Sequence, residues 1–283
     1  MSVGKAGWMT VVAALLAAVP VAAQQRPMLT QDPEVVGSGN VLIEGGLDYG
    51  RDILFPLTGL KGNLLRVATL GVSVGLGSIV EVQLDGGPYN RLAITDRLPA
   101  PLSHTVTATG DSTHDVEDIV FATKIRIVPE TPSHPAFGLR FWTRLPNASQ
   151  ESGLGLNTTD FHADFLAGKT VRSVRIVGNI GLGILSDPTN GVNQNDVLDY
   201  GASVARAVRE GVEIVGEING RASTRSGTPP PGTESRGAIR IGGRLTRDTL
   251  RLDAGIILGM TSYDPSFGFT VGATYVFHAF TVK

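Results

Sequence analysis

The sequence contains no cysteine. Neither disulfides nor thiolate metal sites can therefore hold the chain, and backbone pairing and burial must do so. Charge is also sparse: Asp, Glu, Lys and Arg make up 18% of the 283 residues, and the formal net charge is −2. With no basic surplus to neutralise phosphates, nucleic acid is not an expected partner. Lysine is the rarest charge, at five residues against nineteen arginines. Long apolar runs are missing beyond the first 23 residues. The longest strongly apolar stretch without a charge, residues 67–80 between Arg66 and Glu81, spans 14 residues, whereas a spanning helix needs about 20.

What the chain does have is glycine, 36 residues of it, and 42% hydrophobic residues. That apolar content excludes a disordered protein, and the absence of a three-residue glycine period excludes collagen. Residues 1–23 read as an export signal: Lys5 supplies a positive start, Trp8 to Val19 an apolar run, and Val21, Ala22 and Ala23 small residues for cleavage. Residues 24–38 are then expected to be a short periplasmic segment, and residues 39–283 a single folded unit.

Alternation with period two runs through that unit, which is the pattern of half-buried strands. Phe137, Leu139, Phe141, Thr143 and Leu145 form one face while Arg140, Trp142 and Arg144 lie on the other. Ile176, Ile180 and Leu182 likewise oppose Arg175 and Asn179, and Ile239, Ile241 and Leu245 oppose Arg240 and Arg244. Twelve such segments are expected: 39–50, 62–74, 78–86, 117–128, 135–146, 157–168, 173–185, 195–206, 210–221, 235–246, 249–261 and 268–280. In the second, Leu70, Val72 and Val74 share the parity of Arg66, which predicts a bulge or register change there. Connectors alternate between long and short, as in a meander with turns on one side of a bilayer and loops on the other.

Lipid offers no partner for a free sheet edge, so an all-β chain of this kind is expected to close into an antiparallel transmembrane barrel of about twelve strands. Alternation assigns the charged face to the interior: Glu44, Asp48, Glu81, Lys124, Arg126, Arg140, Trp142, Arg144, Asp164, Arg175, Glu213, Glu217, Arg240, Arg244, Arg251 and Asp253. Lys124, Arg126, Arg140 and Arg144 would form a basic stripe on two adjacent strands, filtering solutes or pairing with acids to fill the bore. Strand glycines such as Gly45, Gly178, Gly216, Gly243 and Gly272 are expected to relieve crowding in a bent wall.

The histidines, at 104, 114, 134, 162 and 278, lack metal-ligand spacing, and no motif calls for a cofactor. His114 next to Asp115 is the one acid–base pair that an outer-membrane hydrolase could use. His162 falls on the inner face beside Asp160 and Asp164. Residues Thr270 to Phe277, with a glycine two places after Thr270 and aromatics at the final alternate positions, resemble the terminal-strand signal read by the outer-membrane barrel assembly machinery, although the chain runs on to Lys283.

Three further pieces, Asp118 to Arg126, Gly138 to Asn147 and Gly153 to Asp160, resemble the outer-membrane barrels of the meta-pathway of phenol degradation, a group of transporters. The resemblance covers about the middle of the chain. It implies a barrel in the bacterial outer membrane that passes small, hydrophobic or aromatic solutes, and it assigns no binding residues. A passive channel is thus the expected function, not an enzyme. The alternatives are a barrel enzyme acting on lipid or peptide at the external rim, and a structural barrel with a blocked lumen.

Overall fold

The computed structural model describes residues 26–281, so the proposed signal at 1–23 lies outside the described residues. Fifteen strands follow one another: β1 Asn40–Phe55, β2 Leu60–Val67, β3 Leu70–Gly75, β4 Val80–Gly86, β5 Tyr89–Arg97, β6 Ser112–Asp115, β7 Ile119–Val128, β8 Ala136–Leu145, β9 Asp160–Val171, β10 Val174–Ser186, β11 Gln194–Arg209, β12 Val212–Ser223, β13 Arg236–Arg247, β14 Leu250–Gly259 and β15 Phe267–His278. Twelve of them close an antiparallel barrel, with β1 pairing β15 from Asn40 opposite His278 to Arg51 opposite Phe267. Closure leaves the wall without an edge, as a hydrocarbon surround demands.

The outward residues are oily. Phe161 and Phe165 on β9, Ile176, Ile180, Leu182 and Ile184 on β10, and Ile239, Ile241 and Leu245 on β13 are all exposed, Leu182 by 63%. In water so large an apolar surface would mark an interface; around a closed barrel it is the lipid face. Tight turns join the strands on one side, at 76–79, 129–135, 172–173, 210–211 and 248–249. Gly211 takes φ +69° in one of them, which a side chain would resist.

Three extra strands were not foreseen. β2 and β3 are one long strand broken where Ala68 takes φ 54°, near the expected irregularity. β4 and β5 part at residues 87–88, and β6 and β7 at 116–118, so that β2, β5 and β6 peel from the wall as a flap on the loop side. The flap is why the stretch from Gly87 to Val116 lacks a lipid-facing pattern: its strands stand clear of the barrel wall. Leu57, Leu60 and Leu92 are buried in it.

Residues 26–36, expected as part of a periplasmic segment, lie inside the barrel. They form a belt that follows the inner wall strand by strand. Arg26 reaches Thr270 (2.8 Å) and Thr69 (2.9 Å), with Asp48 at 3.5 Å and Asp253 at 3.6 Å. Met28 packs on Ala205 and Val215. Glu217 accepts the Leu29 and Thr30 amides, each at 2.8 Å, and the Thr30 hydroxyl at 2.6 Å. Gln31 and Asn179 exchange two bonds, Arg175 grips Asp32 with two nitrogens, Arg126 meets Glu34, and Glu81 accepts the Val36 amide.

Wall glycines make room for this belt. A Cβ at Gly272 would stand 2.3 Å from Arg26 Nε, and one at Gly46 2.1 Å from Arg26 Nη2. The glycines expected to ease curvature at 178, 216 and 243 have no such neighbour within 3.4 Å. At Gly272 the Arg26 guanidinium fills the space that a side chain would take.

Candidate functional site

The bore carries every interior residue singled out from the sequence, but almost all of the charges are spoken for. Lys124 is fully buried 2.9 Å from Glu81, Arg126 pairs with Glu34, Arg140 lies 3.7 Å from Asp85, and Arg144 sits between Asp118 and Asp160. The expected basic stripe is thus neutralised position by position. Arg175 holds Asp32 and Glu130; Arg240 holds Glu217 at 3.1 Å; Arg244 and Arg251 both face Glu213 at 3.8 Å; Asp253 faces Arg26. Arginine suits this packing because its planar fork donates to two acceptors at once.

Glu130 belongs to a turn outside the spanning strands. Burial alone would raise its carboxyl, but the Thr170 amide, the Arg175 charge and bonds from Thr170 and Lys169 outweigh that and hold it below the usual carboxylate value.

Above the belt, the bore contains a polar and aromatic cluster. Trp142 stacks on His162 with ring centres 3.5 Å apart, donates to Asp164 at 2.8 Å, and lies under the Arg140 guanidinium at 5.4 Å. His162 Nδ1 is 2.5 Å from Asp199, and Arg140 Nε donates to Gln83 at 2.8 Å. His162 is therefore directed by Asp199, a residue that the sequence did not single out. Among the described residues, no group of three or more histidine or acidic side chains could hold a metal ion.

His114 and Asp115 do not come together. They are successive strand residues and point to opposite faces. His114 packs on Tyr89 at 5.8 Å, while Asp115 accepts the Ser149 amide (2.8 Å), its hydroxyl (3.0 Å) and the Val116 amide (2.7 Å). Burial opposes ionisation here, but the bonds from Ser152, Ser149 and Val116 win and hold the Asp115 carboxyl below its usual 3.8. A depressed native value means that the clasp contributes stability above pH 3.8 and loses it as the pH falls through the lower folded value. Proteolysis should accordingly cut loop 146–156 faster at pH 3 than at pH 7, and Asp115→Asn should remove most of that difference.

Two hollows flank the wall. The larger, about 850 Å³, lies over the exposed side chains of Phe121, Phe141, Phe161, Leu182 and Ile184. The strands beneath it are paired, Trp142 opposite His162 and His162 opposite Gly183, so it is a concavity of the lipid face. The smaller, about 270 Å³, opens on the loop side of the bore and is lined by Phe55, Pro56, Leu57, Thr58, Arg144, Leu154, Leu156, Arg221 and Arg236 among others. Arg221 and Arg236 were not singled out from the sequence; they sit at strand ends, where the lipid-facing alternation fades.

With the geometry in view, comparison with solved structures is direct. An outer-membrane channel of Pseudomonas putida F1 superposes with a TM-score of 0.59 at 13% identity, covering 87% of this chain and 98% of the other. The NanC porin gives a TM-score of 0.50 at 7% identity, covering 83% and 98%. The fold is that of an outer-membrane β-barrel. No family model matches the sequence, and no curated protein is similar enough to count as a relative. At these identities the likeness extends to the fold alone.

Proposed function

We propose that this barrel is an outer-membrane channel that passes small solutes by passive diffusion, and that residues 26–36 set the width of its bore. The observation that carries the reading is the combination of an oily outer face with a polar, ion-paired interior through which a thin belt, not a folded domain, is threaded. The barrel's likeness to a channel of known structure supports it. The finer reading, a barrel of the phenol meta-pathway type with hydrophobic or aromatic solutes, rests on the resembling pieces between Asp118 and Asp160. Export to the periplasm and insertion by the assembly machinery through Thr270 to Phe277 belong to the same proposal.

The belt also favours a second reading, a structural barrel whose lumen is blocked. Planar-bilayer recording and liposome swelling separate the two. The channel reading predicts discrete conductance steps and uptake of small solutes by the full-length protein; silence in both assays, with heat-modifiable migration proving a folded barrel, would favour the blocked one.

A further inference from the structure

Arg221 and Arg236 face the bore from directly opposed positions of β12 and β13. Like charges across a strand pair are unfavourable, and Asp160, Glu234 and Asp264 attract these two only from beyond ion-pair distance. Among the described residues, no carboxylate lies within 4.0 Å of either guanidinium, whereas Arg144 beside them is held between Asp118 and Asp160. Arg221 donates to the Glu234 and Gly232 carbonyls at 3.0 and 2.9 Å; Arg236 donates to the Tyr263 and Leu54 carbonyls at 2.9 and 3.3 Å. Glu234, two residues from Arg236, accepts the Gly232 amide with both oxygens, each at 2.9 Å, and forms no ion pair with either arginine.

A guanidinium has five N–H donors, so each arginine retains donors beyond those two bonds. Both line the 270 Å³ mouth cavity, and the facing wall is apolar: Phe55, Leu57, Leu154 and Leu156. Two guanidinium groups with N–H donors to spare, set against an oily wall in a space just below the usual size of ligand cavities, select charge and a small apolar body together.

We propose that this cavity is a binding site for small organic carboxylates with an apolar body, captured by Arg221 and Arg236 at the external mouth. The site names the solute class of the channel reading and rests on that reading for its role, but binding is measurable without conduction. The cavity floor is rigid where it matters. Thr58 Oγ1 donates to the Gly153 carbonyl at 2.8 Å and Thr113 Oγ1 to the Ser152 carbonyl at 2.8 Å, so loop 146–159 is fastened over the flap.

Hexanoate, acetate, inorganic phosphate and the neutral hexanamide are the probes, read by saturation-transfer NMR on the barrel in lipid nanodiscs. Hexanoate should bind, and acetate and hexanamide should bind at least tenfold more weakly, because each lacks one half of the recognition. Arg221→Gln and Arg236→Gln remove the guanidinium charge and should each weaken hexanoate by about tenfold, with heat-modifiable migration showing that the barrel still folds. Equal binding of hexanamide, binding of phosphate as tight as that of hexanoate, or variants that bind like the parent would each overturn the site. Hexanoate binding in a protein without conductance would leave the site standing and remove the channel reading; conductance without hexanoate binding would do the reverse.

Discussion

Removing residues 26–36 is expected to raise single-channel conductance several-fold while the barrel itself persists. The belt adds a layer about one strand thick, roughly 5 Å, inside the wall, and a twelve-stranded barrel has little interior to spare. Its ties are side-chain bonds to groups that water can replace once the bore is wider: Glu217 to Leu29 and Thr30, Asn179 to Gln31, Arg175 to Asp32, and Glu81 to Val36. The wall's own backbone ladder does not involve the belt, since β1 pairs β15, β2 and β3 from residue 40 onward. Heat-modifiable migration should therefore survive the deletion. Unchanged conductance in a folded deletion protein would mean that residues 26–36 do not lie in the conducting path.

The second large effect concerns Glu81 and Lys124. Both side chains are buried to 1% exposure or less, and they lie 2.9 Å apart. Lys124 has no well-aligned hydrogen bond of its own, whereas Glu81 also accepts from Gln83 and Val36. Glu81→Leu would leave an ammonium buried without its partner, at a cost of about 3–5 kcal/mol. Replacing both, Glu81→Leu with Lys124→Met, removes the orphaned charge and should recover most of that loss. Urea unfolding of the refolded barrel, followed by loss of its compact gel form, measures both variants. If the double variant were as unstable as the single one, the pair's contribution would lie in packing and in the Val36 bond and not in charge.

The wall was legible because hydrocarbon imposes one rule on every strand. Leu139, Ile176 and Ile241 announce their strands by parity, and that parity also puts Arg140, Arg175 and Arg240 inside. The flap was hidden for the complementary reason: Tyr89–Arg97 lies outside the lipid's reach, so its order Asn, Arg, Leu, Ala, Ile mixes polarities. The belt was illegible for a different one. Its residues have no periodicity, Pro27 and Pro33 keep it from pairing as a strand, and the bonds that tie it to the wall run to partners far away in sequence, such as Glu217 for Thr30. One trace was available: glycines at 46, 168, 242 and 272 share the inward parity of their strands, where a side chain would otherwise be expected. Arg221 and Arg236 escaped because only the register of β12 against β13 sets them face to face.

The absence of native cysteine makes one measurement especially direct. A Cβ built on Gly201 lies 3.5 Å from the Thr30 Cβ, within the separation that a disulfide accepts. The double variant Thr30→Cys with Gly201→Cys should oxidise to a cross-linked monomer that still folds into a heat-modifiable barrel. Thr30→Cys with Ile180→Cys, which places the second thiol on the lipid face, should not. Two thiols at positions 30 and 201 that stay reduced under oxidant and react freely with a membrane-impermeant reagent would contradict a belt inside the bore.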